Sequence, residues 1–167
     1  MQIERAKLSD ALSVMQMITL CVAHMRAQKI YQWDEIYPNL QVVEEGARSE
    51  SLFVIRHEDS CVASVCLNDV QPEQYHPLSW RCTKGRVLVI HRLCVHPEWQ
   101  RRGTGRHLMD FTEDFAREHG FSSIRLDCYT GNPRALALYE QRGYRLIGQA
   151  FFPRRDLPFD CFEKIMA

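Results

Sequence analysis

The sequence predicts an α/β fold: one domain over residues 1–167, with a mixed, mostly antiparallel sheet, a central parallel strand pair and flanking helices. Three observations predict it. Strand-like and helix-like periodicities alternate along the chain in the order β α α β β β α β α β β. The run 87–129 reads strand, helix, strand, a connection that returns the second strand parallel to the first. The first and last strands read as antiparallel additions. A length of 167 residues suits one domain, and 46% hydrophobic residues can build its core.

Each element has its own signal. "MQIERAK" alternates like a strand. Ser9 or Asp10 is placed to cap a helix that carries Leu12, Met15, Ile18, Val22 and Met25 at helical spacing. Pro38 and Asn39 break the pattern, and a short helix over Leu40–Ala47 follows. Residues 51–68 form a hairpin, "SLFVIRH" and "CVASVCLN" joined by the turn "EDS". Residues 69–85 hold two prolines and no period, so they are expected to be a long loop. Arg86–Val95 is a strand, apolar until His91 and Arg92, as suits a doubly covered central strand. A helix over Thr104–His119 ends at Gly120, and "SSIRLDCYT" is the next strand. Asn132, Pro133 and Gly143 punctuate a further helix. Two last strands, "YRLIGQAFF" and "FDCFEKIM", flank a turn with Pro153 and Pro158.

The totals exclude several classes. Lys plus Arg and Asp plus Glu are 21 each, so no global charge draws the chain to nucleic acid or an anionic membrane. No stretch reads as a membrane span and the start lacks the long apolar region of a signal peptide. Seven cysteines, an odd number without a CxxC pair, read as reduced core thiols of a cytoplasmic protein. No metal site is expected: Cys61 with Cys66 and His91 with Cys94 fall in strand-like runs.

The joint "QRRGTGR", between a strand and a helix, carries three arginines and two glycines. Gly103 and Gly105 let the main chain approach another molecule closely. The first helical turn offers N–H donors, and the dipole favours an anion there. Arg101, Arg102 and Arg106 add formal charge, so the joint reads as a phosphate cradle, or else as a turn with solvated arginines. It is not a P-loop, because no Lys-Ser/Thr pair follows the glycines, and not a dinucleotide fingerprint, because Leu108 stands where the third glycine would be.

Gln100-Arg101-Arg102-Gly103-Thr104-Gly105 matches the [Q/R]xxGx[G/A] acyl-CoA loop of the GNAT superfamily of N-acetyltransferases, which the chain resembles. "HRLCVHPEWQ" is similar to the family's preceding strand, and "NPRALALYEQRGY" to its Asn-capped helix with a late Tyr. The resemblance is clear over residues 86–166.

The resemblance implies acetyl transfer from acetyl-CoA to a primary amine by direct attack, with no metal. The acceptor would be a small molecule, an amino acid or a protein N-terminus. The backbone of Arg101–Arg106 would hold the pyrophosphate, and Leu93, Cys94 and Val95 would pair with the pantetheine arm, a main-chain N–H near Cys94 facing the thioester oxygen. Asn132 would also contact the arm, with small Ala135 letting it pass, and Tyr139 would protonate the thiolate. Asn132 and Tyr139 are seven residues apart and share a helix face. The central-strand Glu of many relatives is missing. His91 takes the base role in its place, as in arylalkylamine acetyltransferases of the family, with water as the alternative. Cys94 as a covalent nucleophile is disfavoured by its apolar neighbours. The acceptor would meet the loop between the first two helices, where Tyr31, Trp33 and Tyr37 form an aromatic wall and Asp34 and Glu35 draw a cation. A homodimer is compatible with all of this. Two other classes compete: a non-catalytic acyl-CoA sensor, and a nucleic-acid-binding domain built on the arginine loop.

Overall fold

A computed structural model describes all 167 residues. Seven strands and four helices follow the expected order: β1 (Ile3–Arg5), α1 (Ala11–Ala27), α2 (Leu40–Arg48), β2 (Leu52–His57), β3 (Ser60–Asn68), β4 (Arg86–Val95), α3 (Thr104–Glu118), β5 (Phe121–Tyr129), α4 (Pro133–Gln141), β6 (Arg145–Ala150) and β7 (Phe159–Ile165). They form one mixed sheet in the order β1-β2-β3-β4-β5-β7-β6. The β4–β5 pair is parallel, from Arg86↔Phe121 to Val89↔Arg125, while β5–β7, β6–β7, β1–β2 and β2–β3 are antiparallel.

The backbone packs as two compact units, residues 1–29, 33–67 and 91–112 in the first, and 30–32, 68–90 and 113–167 in the second. In the first, α1 buries Ala11, Val14, Met17, Ile18 and Cys21, one face at helical spacing, in a cluster with Leu52 and Val54 of β2. Each Val, Leu, Ile or Met side chain among them contributes about 1.5–3 kcal/mol when sealed from water. Asn39 caps α2 by accepting the Val42 N–H at 3.0 Å. Arg56 ties β2 to the chain start through Glu4 and by donating two hydrogen bonds to the Asp10 carboxylate, at 3.0 and 2.6 Å.

Two expectations need correction. Asp10 precedes α1 but its side chain does not cap it; the carboxylate accepts from Arg56 and from the Lys7 N–H instead. The guanidinium holds its pKa below the ordinary value, with burial opposing. The 20-residue stretch Leu8–Ala27 does reach the length and hydropathy of a membrane span, with a mean hydropathy of 1.3 over an 18-residue window. Serine, threonine and glutamine interrupt the run in the sequence, which hides its average. Its inward face belongs to the first unit's core.

In the second unit, β5 has two unlike faces. Arg125, Asp127 and Tyr129 stand opposite Glu163, Cys161 and Phe159 of β7. The connection between β3 and β4 packs Tyr75, Leu78 and Trp80 with Val89, Ala150 and Cys161. On α4, Tyr139 packs on Phe162 and edge-on to Tyr144. Asn132 caps α4, Pro133 opens it, and Gly143 at φ 81° closes it.

Candidate functional site

The joint at residues 100–106 folds as its composition demands. Arg101 and Gly103 take left-handed conformations, φ 61° and 82°, which turn the chain sharply into α3. The first helical bond runs from the His107 N–H to the Gly103 carbonyl at 2.9 Å. The N–H groups of Thr104, Gly105 and Arg106 therefore lie ahead of the ladder. The turn is braced: Gln100 donates its amide to the Val95 carbonyl at 3.0 Å, and the Thr104 hydroxyl donates to the Trp99 carbonyl at 3.0 Å. Arg101, Arg102 and Arg106 are exposed, and Arg102 lies over the Trp99 ring. Donors, dipole and three cations at one place suit a polyanionic ligand such as the diphosphate of a CoA ester.

The strand leading in carries a feature that the sequence hides. Arg92 adopts φ 50° in the middle of β4, and its guanidinium donates to the Tyr37 hydroxyl at 3.0 Å. His91, Leu93 and Val95 are half-buried around it, and Cys94 is buried. The Val95 carbonyl accepts from the Cys21 thiol as well as from Gln100, so it is engaged twice. The Cys94 thiol lies 3.2 Å from that of Cys21. That partner and burial both push its pKa far up, which leaves no thiolate for covalent chemistry. None of the seven cysteines is in a disulfide, and six are buried. No group of three or more His, Cys, Asp or Glu side chains is arranged to hold a metal ion.

On α4, the Asn132 carbonyl oxygen accepts the Ala135 N–H at 3.2 Å, and its amide donates to Gln32 at 3.1 Å. Ala135 is half-buried and Tyr139 is buried. Burial, then the neighbouring Cys128 and Asp127, raise the Tyr139 pKa well above that of an ordinary phenol. It is therefore protonated at every physiological pH.

The three aromatic residues of the expected wall occupy different environments. Tyr31 is exposed in the second unit. Trp33 is buried in the core of the first, and Tyr37 is half-buried there against Arg92. Asp34 caps its own turn, accepting the N–H groups of Ile36 and Tyr37. Glu35 pairs with Arg26.

Sequence reasoning passed over Asp127. It is half-buried on β5 and accepts the Tyr75 hydroxyl at 2.6 Å. Burial pushes its carboxyl up to about 6, and the Tyr75 hydrogen bond holds it from going higher. The visible signal is an acid in the apolar run "SIRLDCYT"; the tyrosine 52 residues earlier is not visible as its partner. Gln32 was passed over for the same reason.

Residues 17–144 match the acetyltransferase (GNAT) family, and the chain belongs to it. Human N-acetyltransferase 8 is 37% identical over 65 residues, spanning 39% of this chain and 29% of the relative. The chain thus spans under a third of that protein. The uncharacterised N-acetyltransferase YhfO of Bacillus subtilis is 24% identical over 144 residues, 86% of this chain and 89% of the relative. Among solved structures, the acetyltransferase-fold protein yncA of Salmonella typhimurium, which contains acetyl-CoA, aligns at TM-score 0.74 and 15% identity, covering all of this chain and 94% of that one.

Proposed function

We propose that the protein is an N-acetyltransferase that moves an acetyl group from acetyl-CoA to a primary amine by direct attack in a ternary complex. One observation carries the reading: the left-handed turn at Arg101 and Gly103 that opens α3 with free-standing N–H donors among three exposed arginines. The residues fit the cofactor's diphosphate there. When bound, acetyl-CoA supplies an activated thioester, and the chain's task is to orient it and manage charge.

In this reading the backbone of Arg101, Arg102, Gly103, Thr104, Gly105 and Arg106 holds the diphosphate, with Gln100 fixing the turn. The main chain at Leu93, Cys94 and Val95, and Asn132 beside Ala135, guide the pantetheine arm. A backbone N–H near Cys94 polarises the thioester carbonyl, a contribution commonly worth roughly 3 kcal/mol of barrier. Tyr139 donates a hydrogen bond to the sulfur as negative charge grows on it. Its raised pKa keeps the hydroxyl protonated, so the proton is present at every working pH. His91 on β4 is one candidate to accept the amine's proton, and water the other. Tyr31, Trp33 and Tyr37 stand on the acceptor side. A small amine, an amino acid and a peptide N-terminus all suit this chemistry, and a cytoplasmic setting and a homodimer remain part of the proposal.

The test is thermal unfolding with and without acetyl-CoA, followed by CoA release with a panel of amines and peptides. We expect protection by acetyl-CoA, turnover with at least one amine, and about 100-fold slower turnover in Tyr139→Phe. Absence of protection removes the reading. Protection without turnover by any amine favours an acyl-CoA sensor.

A further inference from the structure

Arg125, Arg142 and Arg56 are buried or half-buried, and each meets a carboxylate: Glu163, Glu113 and Asp10, at 3.0, 3.0 and 2.6 Å. Arg92 of β4 is half-buried too, yet its guanidinium meets no acid. Its protein partner is the neutral Tyr37 hydroxyl, which accepts from Nη1 at 3.0 Å. That bond uses one of several N–H groups in the guanidinium fork. The Tyr37 hydroxyl accepts it and donates to nothing in the chain. The side-chain atoms that are both sealed and unbonded in this fold belong to Ser123 and Tyr144. The Arg92 nitrogens that Tyr37 leaves over are therefore in contact with solvent.

Both partners are held in place. Arg92 keeps φ 50° within a strand, a strained conformation for any residue but glycine and one that persists only where its surroundings impose it. Two residues on, Cys94 is sealed against Cys21 of α1, and the Val95 carbonyl accepts from both Cys21 and Gln100. Tyr37 is bound at both ends of its own peptide. Its N–H donates to the Asp34 carboxylate at 2.8 Å, and its carbonyl accepts the Asp34 N–H at 3.1 Å. Its side chain packs on the first unit's core.

The charges of this connection are unevenly engaged. Asp34 is taken up by its own turn, and Glu35 pairs with Arg26. The sequence pointed to these acids as attracting a cation. The folded connection instead presents a cation that lacks a counter-charge. One guanidinium fork and one phenol O–H match a single carboxylate. A phosphate dianion suits the three arginines at the turn into α3 better, and Asp34 and Glu35 would repel it here.

We propose that Arg92, positioned by Tyr37, receives a carboxylate carried by the acceptor, so that the acceptor is an amino acid rather than a plain amine. This rests on the acetyltransferase reading, in which the thioester lies along Leu93, Cys94 and Val95. The parallel pairing of β4 with β5 ends at Val89, so that stretch of main chain lies beyond the ladder, and Arg92 directly precedes it. An amino acid bound by its carboxylate at Arg92 brings its amine toward the thioester from a fixed point. Half-burial limits screening by salt, so the ion pair keeps more of its strength than a surface pair.

Two measurements test this. The first is CoA release with alanine, 4-aminobutyrate and 6-aminohexanoate, each set against the amine left by its decarboxylation. At least one amino acid should exceed its amine by about 50-fold in kcat/KM. Arg92→Asn, a residue that tolerates the left-handed backbone, should bring that ratio near one. Tyr37→Phe should lower it about fivefold. No preference for any amino acid, or a preference that survives Arg92→Asn, overturns the proposal. Weaker acetyl-CoA binding in Arg92→Asn also overturns it, because the anion at Arg92 would then be the cofactor's. The second is NMR of the arginine Nε–H groups with CoA present, the Arg92 signal being the one missing from Arg92→Asn. Sodium butyrate should shift it saturably, and n-butylammonium chloride should not. A signal that butyrate leaves in place overturns the proposal. If no amine or amino acid is turned over and CoA does not bind, the acetyltransferase reading falls, and the butyrate titration still decides whether Arg92 takes a carboxylate.

Discussion

At the residue scale, Asp127 makes the sharpest pH prediction. An ordinary Asp ionises near pH 4. In the folded chain this one keeps its proton up to about 6. Between those values the folded state binds a proton that the unfolded chain has lost, so stability falls as pH rises through that window and is level above it. The difference is about 2–3 kcal/mol. Asp127→Asn keeps an acceptor for Tyr75 and removes the charge. Thermal unfolding from pH 4.5 to 6.5 should therefore show the wild-type Tm falling by about 5 °C relative to the variant. Parallel curves would show that the carboxyl is not desolvated. The turn into α3 and the capped start of α4 were legible in the sequence because their signals are local: glycines before a helix, an Asn cap, a proline at the first helical position. Asp127, Gln32 and Arg92 were not, because each matters through a partner far along the chain or through a backbone angle. Arg92 holds a left-handed conformation that its residue type does not announce.

At the scale of elements, the connection between β3 and β4 owes its order to one buried acid. Glu163 is fully sealed, pairs with Arg125, and accepts two main-chain N–H groups. Glu163→Ala would leave the Arg125 cation uncompensated in the interior, at a cost of about 3–5 kcal/mol. Denaturant unfolding should show that loss, and amide exchange should quicken at Arg81 and Cys82 first. A Glu163→Ala protein with wild-type stability would contradict the clamp. The sequence showed this stretch as a loop without period, which it is. It could not show that the loop is nailed down, because its fasteners lie on β5 and β7. Helices and strands were placed within a residue or two for the opposite reason: caps and periodicity are properties of neighbours. The exception was the start of α1, where Asp10 answers to Arg56 of β2 rather than to its own helix.

At the scale of the whole molecule, the proposed acetyl-CoA cradle at the turn into α3 would make the ligand a stability determinant. A ligand present at 100 times its Kd adds about 2.7 kcal/mol to the folded state. Gly103→Val puts a branched side chain at φ 82°, where the barrier is backbone strain, since nothing lies within 4 Å of an added Cβ. Strain of about 1–2 kcal/mol would be relieved by moving the turn, so acetyl-CoA affinity should fall about tenfold. Gly105→Val, in the first turn of α3, should weaken it too. Calorimetry that finds both affinities unchanged would remove the cradle. The hydrogen bond from Asn132 to Gln32 has a consequence of its own. On the proposed reading the Asn132 amide that would meet the pantetheine arm already donates to Gln32, so docking there would be an exchange reaction rather than a simple addition. Vacating the place by Gln32→Ala should tighten acetyl-CoA binding by about fivefold, the worth of one neutral hydrogen bond. A mutation that deletes a contact would then yield the stronger binder.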